Sequence, residues 1–200
     1  MAADQREFII IMRNIPSIEA IQNLKLNNLT AYRIDALLRC INAAFFLSND
    51  FRKDTDLYVC LGDNTLIKFS GKSLRGLNPD ERQLAGVLKK ATLNRKYPGI
   101  VFADGGLEQL ELDPLDTVLL SQSNVKINYE NLRKTCRFIL GGYQGFIKED
   151  IDYLTRIGIP TLFPNPFFWW RIKNISVPFI TFQKSYLFPS IRHPPYFLVV

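Results

Sequence analysis

Cys136-Arg137-Phe138-Ile139-Leu140-Gly141-Gly142-Tyr143-Gln144-Gly145 reads as an apolar strand running into a glycine-rich turn, and a helical pattern follows near Lys148 to Ile157. Strand, tight turn and helix in that order are the repeating unit of an α/β fold. Glycines at such a turn let a ligand approach the main chain, and the helix behind them offers unsatisfied N–H groups. The same turn is equally suited to a plain tight connection. A dinucleotide site is a poor reading, because it needs an acidic residue roughly 20 positions further on. No Asp or Glu occurs after Asp152.

Upstream, the pattern of strand and helix repeats. Glu7 to Met12 is rich in β-branched residues and predicts a first strand. Asn14 to Thr30 is polar, which suits a loop with a short helical turn. Ile34, Leu37, Leu38, Ile41 and Phe45 recur at helical spacing, predicting a helix over Ala31 to Phe46 that Ser48-Asn49-Asp50 ends. Leu57 to Leu61 and Leu66 to Phe69 flank Gly62-Asp63-Asn64 as a hairpin. Asn78-Pro79-Asp80-Glu81 then predicts a helix start, with Asn78 as cap and Pro79 at the first helical position, running to about Ala91. Gly99 to Ala103 and Thr117 to Leu120 are further strands. Strands alternating with helices predict an α/β fold with a largely parallel sheet.

Composition narrows the function classes. Among 200 residues, 47% are apolar and 22% charged, as in a globular domain. No apolar run approaches the length of a membrane span, and Asp4 and Glu7 interrupt any signal-peptide core, so no membrane association is expected. Cys40, Cys60 and Cys136 are odd in number and lie in apolar runs, which predicts buried thiols in the cytoplasm and no metal site. The net charge of +6 carries little weight for nucleic-acid binding. All 19 acidic residues lie at or before Asp152, where 20 basic residues balance them.

Chemistry has few candidates. His193 is the single histidine, so a Ser/His/Asp or Cys/His hydrolase is excluded unless His193 serves, and Cys40 lacks a base to activate it. On the predicted helix, Asp35 and Arg39 stand four apart and can form a surface ion pair. The sharper reading is that Arg33, Arg39 and Arg52 bind RNA phosphates, which position RNA without reading it, and that Asp35 is a general base.

Arg33-Ile34-Asp35 through Arg39-Cys40-Ile41-Asn42-Ala43-Ala44-Phe45-Phe46-Leu47-Ser48 to Arg52-Lys53-Asp54 closely resembles the N-terminal signature of the archaeal tRNA pseudouridine-54 N1-methyltransferases. Leu77-Asn78-Pro79-Asp80-Glu81-Arg82, Pro98-Gly99-Ile100 and Phe138-Ile139-Leu140-Gly141-Gly142-Tyr143-Gln144-Gly145 follow in that family's order. The resemblance spans residues 7 to about 162. It implies the SPOUT α/β fold with a C-terminal trefoil knot, a homodimer, S-adenosyl-L-methionine as methyl donor and tRNA as partner. It assigns Leu120 and Gly141 to cofactor contact, with Gly142 and Gly145 supporting the turn, and turns Arg33, Asp35 and Arg39 toward the RNA. The implied reaction is methylation of N1 of pseudouridine 54 in tRNA. The rRNA pseudouridine N1-methyltransferases and a catalytically inactive RNA-binding relative are the alternatives.

The resemblance divides the chain into a methyltransferase domain over residues 1–162 and an aberrant tail over 163–200. The tail holds six of the eleven prolines and both tryptophans, and it has no acidic residue. It replaces the family's last motif, whose loss implies an incomplete cofactor site and knot. The tail lacks acidity, periodicity and the family motif together, as a shift of reading frame would produce. A coding sequence with no family-like tail in either shifted frame would overturn that reading.

Overall fold

The structure is a computed structural model and describes residues 6–48, 50–120 and 137–162. Cys136, His193, the tail over 163–200 and the knot expected of that segment lie outside the described residues.

Strand β1 (Arg6–Met12) is followed by a short helix α1 (Ile18–Gln22), a 3₁₀ turn over Ala31–Arg33 and helix α2 (Ile34–Phe45). Strands β2 (Thr55–Leu61) and β3 (Leu66–Ser70), helix α3 (Glu81–Asn94), strand β4 (Ile100–Ala103) and a 3₁₀ turn over Gly106–Gln109 come next. Strands β5 (Thr117–Leu120) and β6 (Arg137–Gly141), helix α4 (Lys148–Arg156) and strand β7 (Thr161–Leu162) complete the order.

One seven-stranded sheet has the order β4-β3-β2-β1-β6-β5-β7. The run β2-β1-β6-β5-β7 is parallel, and β3 joins β2 and β4 antiparallel. The largely parallel sheet expected from the sequence is therefore present. Strand β1 lies in its middle, with Ile11 in register with Cys60 on one side and Gly141 on the other. Both faces of β1 are buried, as they are in sheets covered by helices on each side. Phe8, Ile10 and Met12 point into one core, and Ile9 and Ile11 into a second.

The first core takes the apolar stripe of α2: Ile34, Leu37, Leu38, Ile41 and Phe45 have no exposed surface. Each such side chain stabilises the fold by about 1.5–3 kcal/mol relative to leaving it in water. Leu84, Leu88 and Ala91 of α3 join it. The second core is smaller and is closed by Leu154 of α4 and Ile159. Cys40 and Cys60 are buried thiols; burial pushes Cys40 up to about 12 and Cys60 up to about 11, so neither serves as a thiolate.

Two sequence expectations shift. Helix α3 starts at Glu81 with Asp80 as cap, whose carboxylate accepts from the Gln83 amide at 2.9 Å. Asn78 instead accepts from the Asp80 amide, forming the turn that leads in, and Pro79 precedes the helix. The expected helix over Ala31–Phe46 breaks at its start, because Tyr32 and Arg33 have left-handed backbones (φ 51° and 56°). Among the described residues, no helix is long and apolar enough to cross a membrane.

Candidate active site at the carboxyl edge of the sheet

From β1 the chain leaves toward β2 by way of α2, whereas β6 and β5 lie on the other side of β1. The connections therefore diverge between β1 and β6, and a crevice opens beyond their carboxyl ends. Open α/β sheets bind ligands at such switch points. Met12, Leu120, Gly141 and the amino ends of α2 and α4 all reach this edge.

The glycine turn packs directly against the end of β1. The Gly142 amide donates to the Ile11 carbonyl at 2.8 Å, and the Gly145 amide to Gly142 at 3.0 Å. A β-carbon on Gly142 would lie 2.4 Å from Met12 Sδ and 2.8 Å from the Ile11 oxygen. One on Gly141 would lie 2.9 Å from Gly145 Cα. Gly141 and Gly142 are thus required by the turn's own packing. Gly145 differs: its φ is +73° and nothing lies within 4 Å of where a β-carbon would point. Leu120 is half-buried, in register with Leu140 of β6 and Leu162 of β7. Gly142→Ala is expected to destabilise the chain by about 1–3 kcal/mol in urea unfolding, through the clash with the Ile11 carbonyl. Unchanged stability with weakened cofactor affinity would instead assign Gly142 to ligand approach.

The amino end of α4 is occupied from within the chain. Asp150 accepts from the Ile147 amide at 3.2 Å, so this helix start is not an open anion site. Asp150 also pairs with Arg13 through two bonds, Nη2 to Oδ1 at 2.5 Å and Nε to Oδ2 at 3.2 Å. The two side chains are 9% and 2% exposed. Arg13 Nη1 further donates to the Leu61 carbonyl and to Asn64 Oδ1, both at 2.7 Å. The guanidinium therefore ties β1, the β2–β3 turn and α4 together behind the glycine turn. Its Asp150 hydrogen bond holds its pKa above the ordinary arginine value. The sequence reading missed this pair, whose partners stand 137 residues apart.

Across the crevice lies the amino end of α2. Asp35 Oδ2 takes Arg39 one helical turn on and Arg33 at 3.4 Å. Asp35 Oδ1 is buried and has no hydrogen-bond partner among the described residues. The Arg33 guanidinium also stands over the Tyr143 ring, 5.1 Å from its centroid. That contact joins the two halves of the site. The Arg33-Asp35-Arg39 group and the Gly141–Gly145 turn, far apart in sequence, form one cluster.

Arg52 is not part of it. Its guanidinium donates to the Ala43 carbonyl near the far end of α2, at 3.3 Å. Helical rise alone separates Ala43 from Arg33 by ~15 Å. There Arg52 sits beside the Arg6–Asp54 pair, where burial and Arg6 lower its pKa. A separate cavity of about 340 Å³ is lined by Glu7, Tyr58, Lys68, Glu111 and Arg137. Glu7 pairs there with Arg137 at 2.6 Å, and Lys68 pairs with Asp56 at 2.9 Å. Among the described residues, no group of three or more His, Cys, Asp or Glu is placed to hold a metal ion.

Known proteins resemble this chain in sequence and in fold. The family described as "Putative SAM-dependent RNA methyltransferase" matches residues 5–166. A protein of Methanocorpusculum labreanum named tRNA (pseudouridine(54)-N(1))-methyltransferase is 34% identical over 140 residues, covering 62% of this chain and 70% of that protein. One of the same name from Methanococcus vannielii is 31% identical over 157 residues, covering 67% and 76%. A third, from Haloferax volcanii, is 40% identical over 93 residues, so the match spans less than half of either chain (46% of each). Among solved structures, Archaeoglobus fulgidus Nep1 bound to S-adenosylhomocysteine superposes with a TM-score of 0.58 at 13% identity, covering 86% of this chain and 95% of that one. At that identity the likeness establishes the fold, which is the SPOUT fold of Nep1. The 162-residue family match and the archaeal relatives together place the chain in the tRNA (pseudouridine-54-N1)-methyltransferase family of S-adenosylmethionine-dependent RNA methyltransferases.

Proposed function

We propose that this chain transfers a methyl group from S-adenosyl-L-methionine to N1 of pseudouridine 54 in tRNA. The observation that carries the reading is the Arg33–Tyr143 contact, which sets the Arg33-Asp35-Arg39 group against the Gly141–Gly145 turn.

Each half has a role. The open side of Gly145, with half-buried Leu120 and the main chain of Gly141 and Gly142, fits a ligand held largely through backbone. S-adenosyl-L-methionine, when bound there, supplies an electrophilic sulfonium methyl. The opposite wall supplies acid–base chemistry. Pseudouridine N1 carries a proton that must leave as the nitrogen gains its methyl, and a carboxylate can accept it. Asp35 Oδ1 is the acceptor, since Oδ2 is already engaged by Arg33 and Arg39. Oδ1 is covered in the chain as it stands, so substrate must displace a neighbour to reach it. Arg39, with its side chain 41% exposed, has room to swing toward an RNA phosphate.

Arg52 in this reading contacts phosphate only as an outlying cation. Homodimerisation, the trefoil knot and a cytoplasmic setting belong to the same proposal, supported by the family resemblance. The family match ends at residue 166, which supports closing the methyltransferase domain near Leu162. The tRNA substrate is preferred over rRNA because the curated relatives carry tRNA names.

Methyl transfer from labelled S-adenosylmethionine is expected on tRNA with pseudouridine at position 54 and absent on tRNA with uridine there. Label on neither, from a folded chain that binds tRNA, would replace the proposal with an inactive RNA-binding relative.

A further inference from the structure

Tyr143 and Tyr32 are both 55% exposed, an unusual amount for large rings beside a packed crevice. Two features separate them from incidental surface aromatics. The Tyr143 ring is backed by the Arg33 guanidinium, and the turn that carries it is pinned to β1 through the Gly142 amide. Tyr32 and Arg33 hold consecutive left-handed backbones, a conformation that bulky residues rarely adopt. Hydrogen bonds from the Asn14 side-chain amide to the Tyr32 carbonyl and from the Arg33 amide to Thr30 keep them there. Strain of that kind persists where the surroundings fix it, and it concentrates at ligand sites.

We propose that Tyr143, backed by Arg33, is the platform on which a nucleobase of the RNA substrate stacks once it has left its own helix. The inference rests on the methyltransferase reading and adds substrate-binding residues to it. A base buried in a stack does not present its ring nitrogen to an enzyme, so chemistry there requires the base to be drawn out. Proteins hold such bases on tyrosine rings and guanidinium planes. Here a ring and a guanidinium already face each other. Arg39 stands one helical turn beyond Asp35 to meet the phosphates, and Asp35 lies between the two arginines that it pairs with. The competing occupant of the ring is the adenine of the cofactor.

The test compares Tyr143→Ala, Tyr143→Leu and Tyr143→Phe in the full chain. It measures tRNA affinity at fixed salt, KM for tRNA and affinity for S-adenosylhomocysteine. Loss of one stacked base weakens binding by about five- to a hundredfold. That loss of tRNA affinity, with a matching rise in KM, is expected for Tyr143→Ala and Tyr143→Leu. Tyr143→Phe keeps the π-face and is expected to remain close to wild type. Affinity for S-adenosylhomocysteine stays unchanged throughout. Loss of cofactor affinity with tRNA affinity intact would overturn the platform and give the ring to adenine, and so would tRNA affinity indifferent to all three changes. The two readings fail separately. A wild-type chain that binds tRNA without methylating it removes the enzymatic reading, and the same affinity series still decides the platform. A wild-type chain that binds no RNA overturns both.

Discussion

Asp35→Asn is expected to lower kcat for methyl transfer by about 10²- to 10⁴-fold, the range supplied by a positioned general base. The amide keeps the size of the carboxylate and can still accept from one guanidinium, but it cannot take the N1 proton. KM for tRNA should change far less than kcat, because Arg39, the cation proposed to meet the phosphates, remains. Arg39→Ala gives the opposite pattern, with tRNA affinity falling more than kcat. Asp35 is mostly buried and paired, so the variant must first be shown folded by circular dichroism. A kcat within tenfold of wild type, at saturating tRNA, would remove Asp35 as the base and leave it as the ion-pair partner of Arg39.

Asp150→Ala is expected to destabilise the fold by about 3–5 kcal/mol in denaturant unfolding, the cost of leaving one member of a buried pair uncompensated. The substitution strands the Arg13 guanidinium and removes the carboxylate that accepts from the Ile147 amide at the start of α4. The double variant Arg13→Met with Asp150→Leu should recover most of that loss, because apolar side chains of similar volume avoid the desolvation cost altogether. A single variant as destabilised as the double would show that the helix start, not the ion pair, carries the effect. Thermal unfolding of all variants in one buffer decides between these.

The strands and most helices were legible because apolar runs and helical spacing mark them directly. The β-branched run Ile9, Ile10 and Ile11 predicts a strand, and Leu37, Leu38 and Ile41 predict the inner face of α2. The left-handed start of α2 was not legible, since Tyr32 and Arg33 are not residues that announce such a backbone; Gly or Asn would be. The cap of α3 was misplaced by two residues because Asn78 and Asp80 are equally good acceptors, and only the fold decides between them. Arg52 was grouped with Arg33 and Arg39 by nearness in sequence, and an intervening helix carries it to the opposite edge of the sheet. The Arg13–Asp150 and Arg33–Tyr143 contacts join residues more than a hundred positions apart, and no local pattern announces them.

Strand β1 is made first but receives its second neighbour late. Arg137 of β6 meets Glu7 across 130 residues of chain. A ribosome has synthesised β1, β2, β3 and β4, with α2 and α3, well before β6 emerges, and these elements bring their own apolar core. One edge of β1 therefore waits unpaired through that interval, a row of open N–H and C=O groups on a run of isoleucines. Closing such a long loop is slow compared with pairing neighbours in sequence. Nascent chains are thus most prone to sticking to one another after β4 is complete and before Gly141 is added. The switch point that creates the crevice is thus expected to place the pairing of β6 with β1 among the later steps of folding.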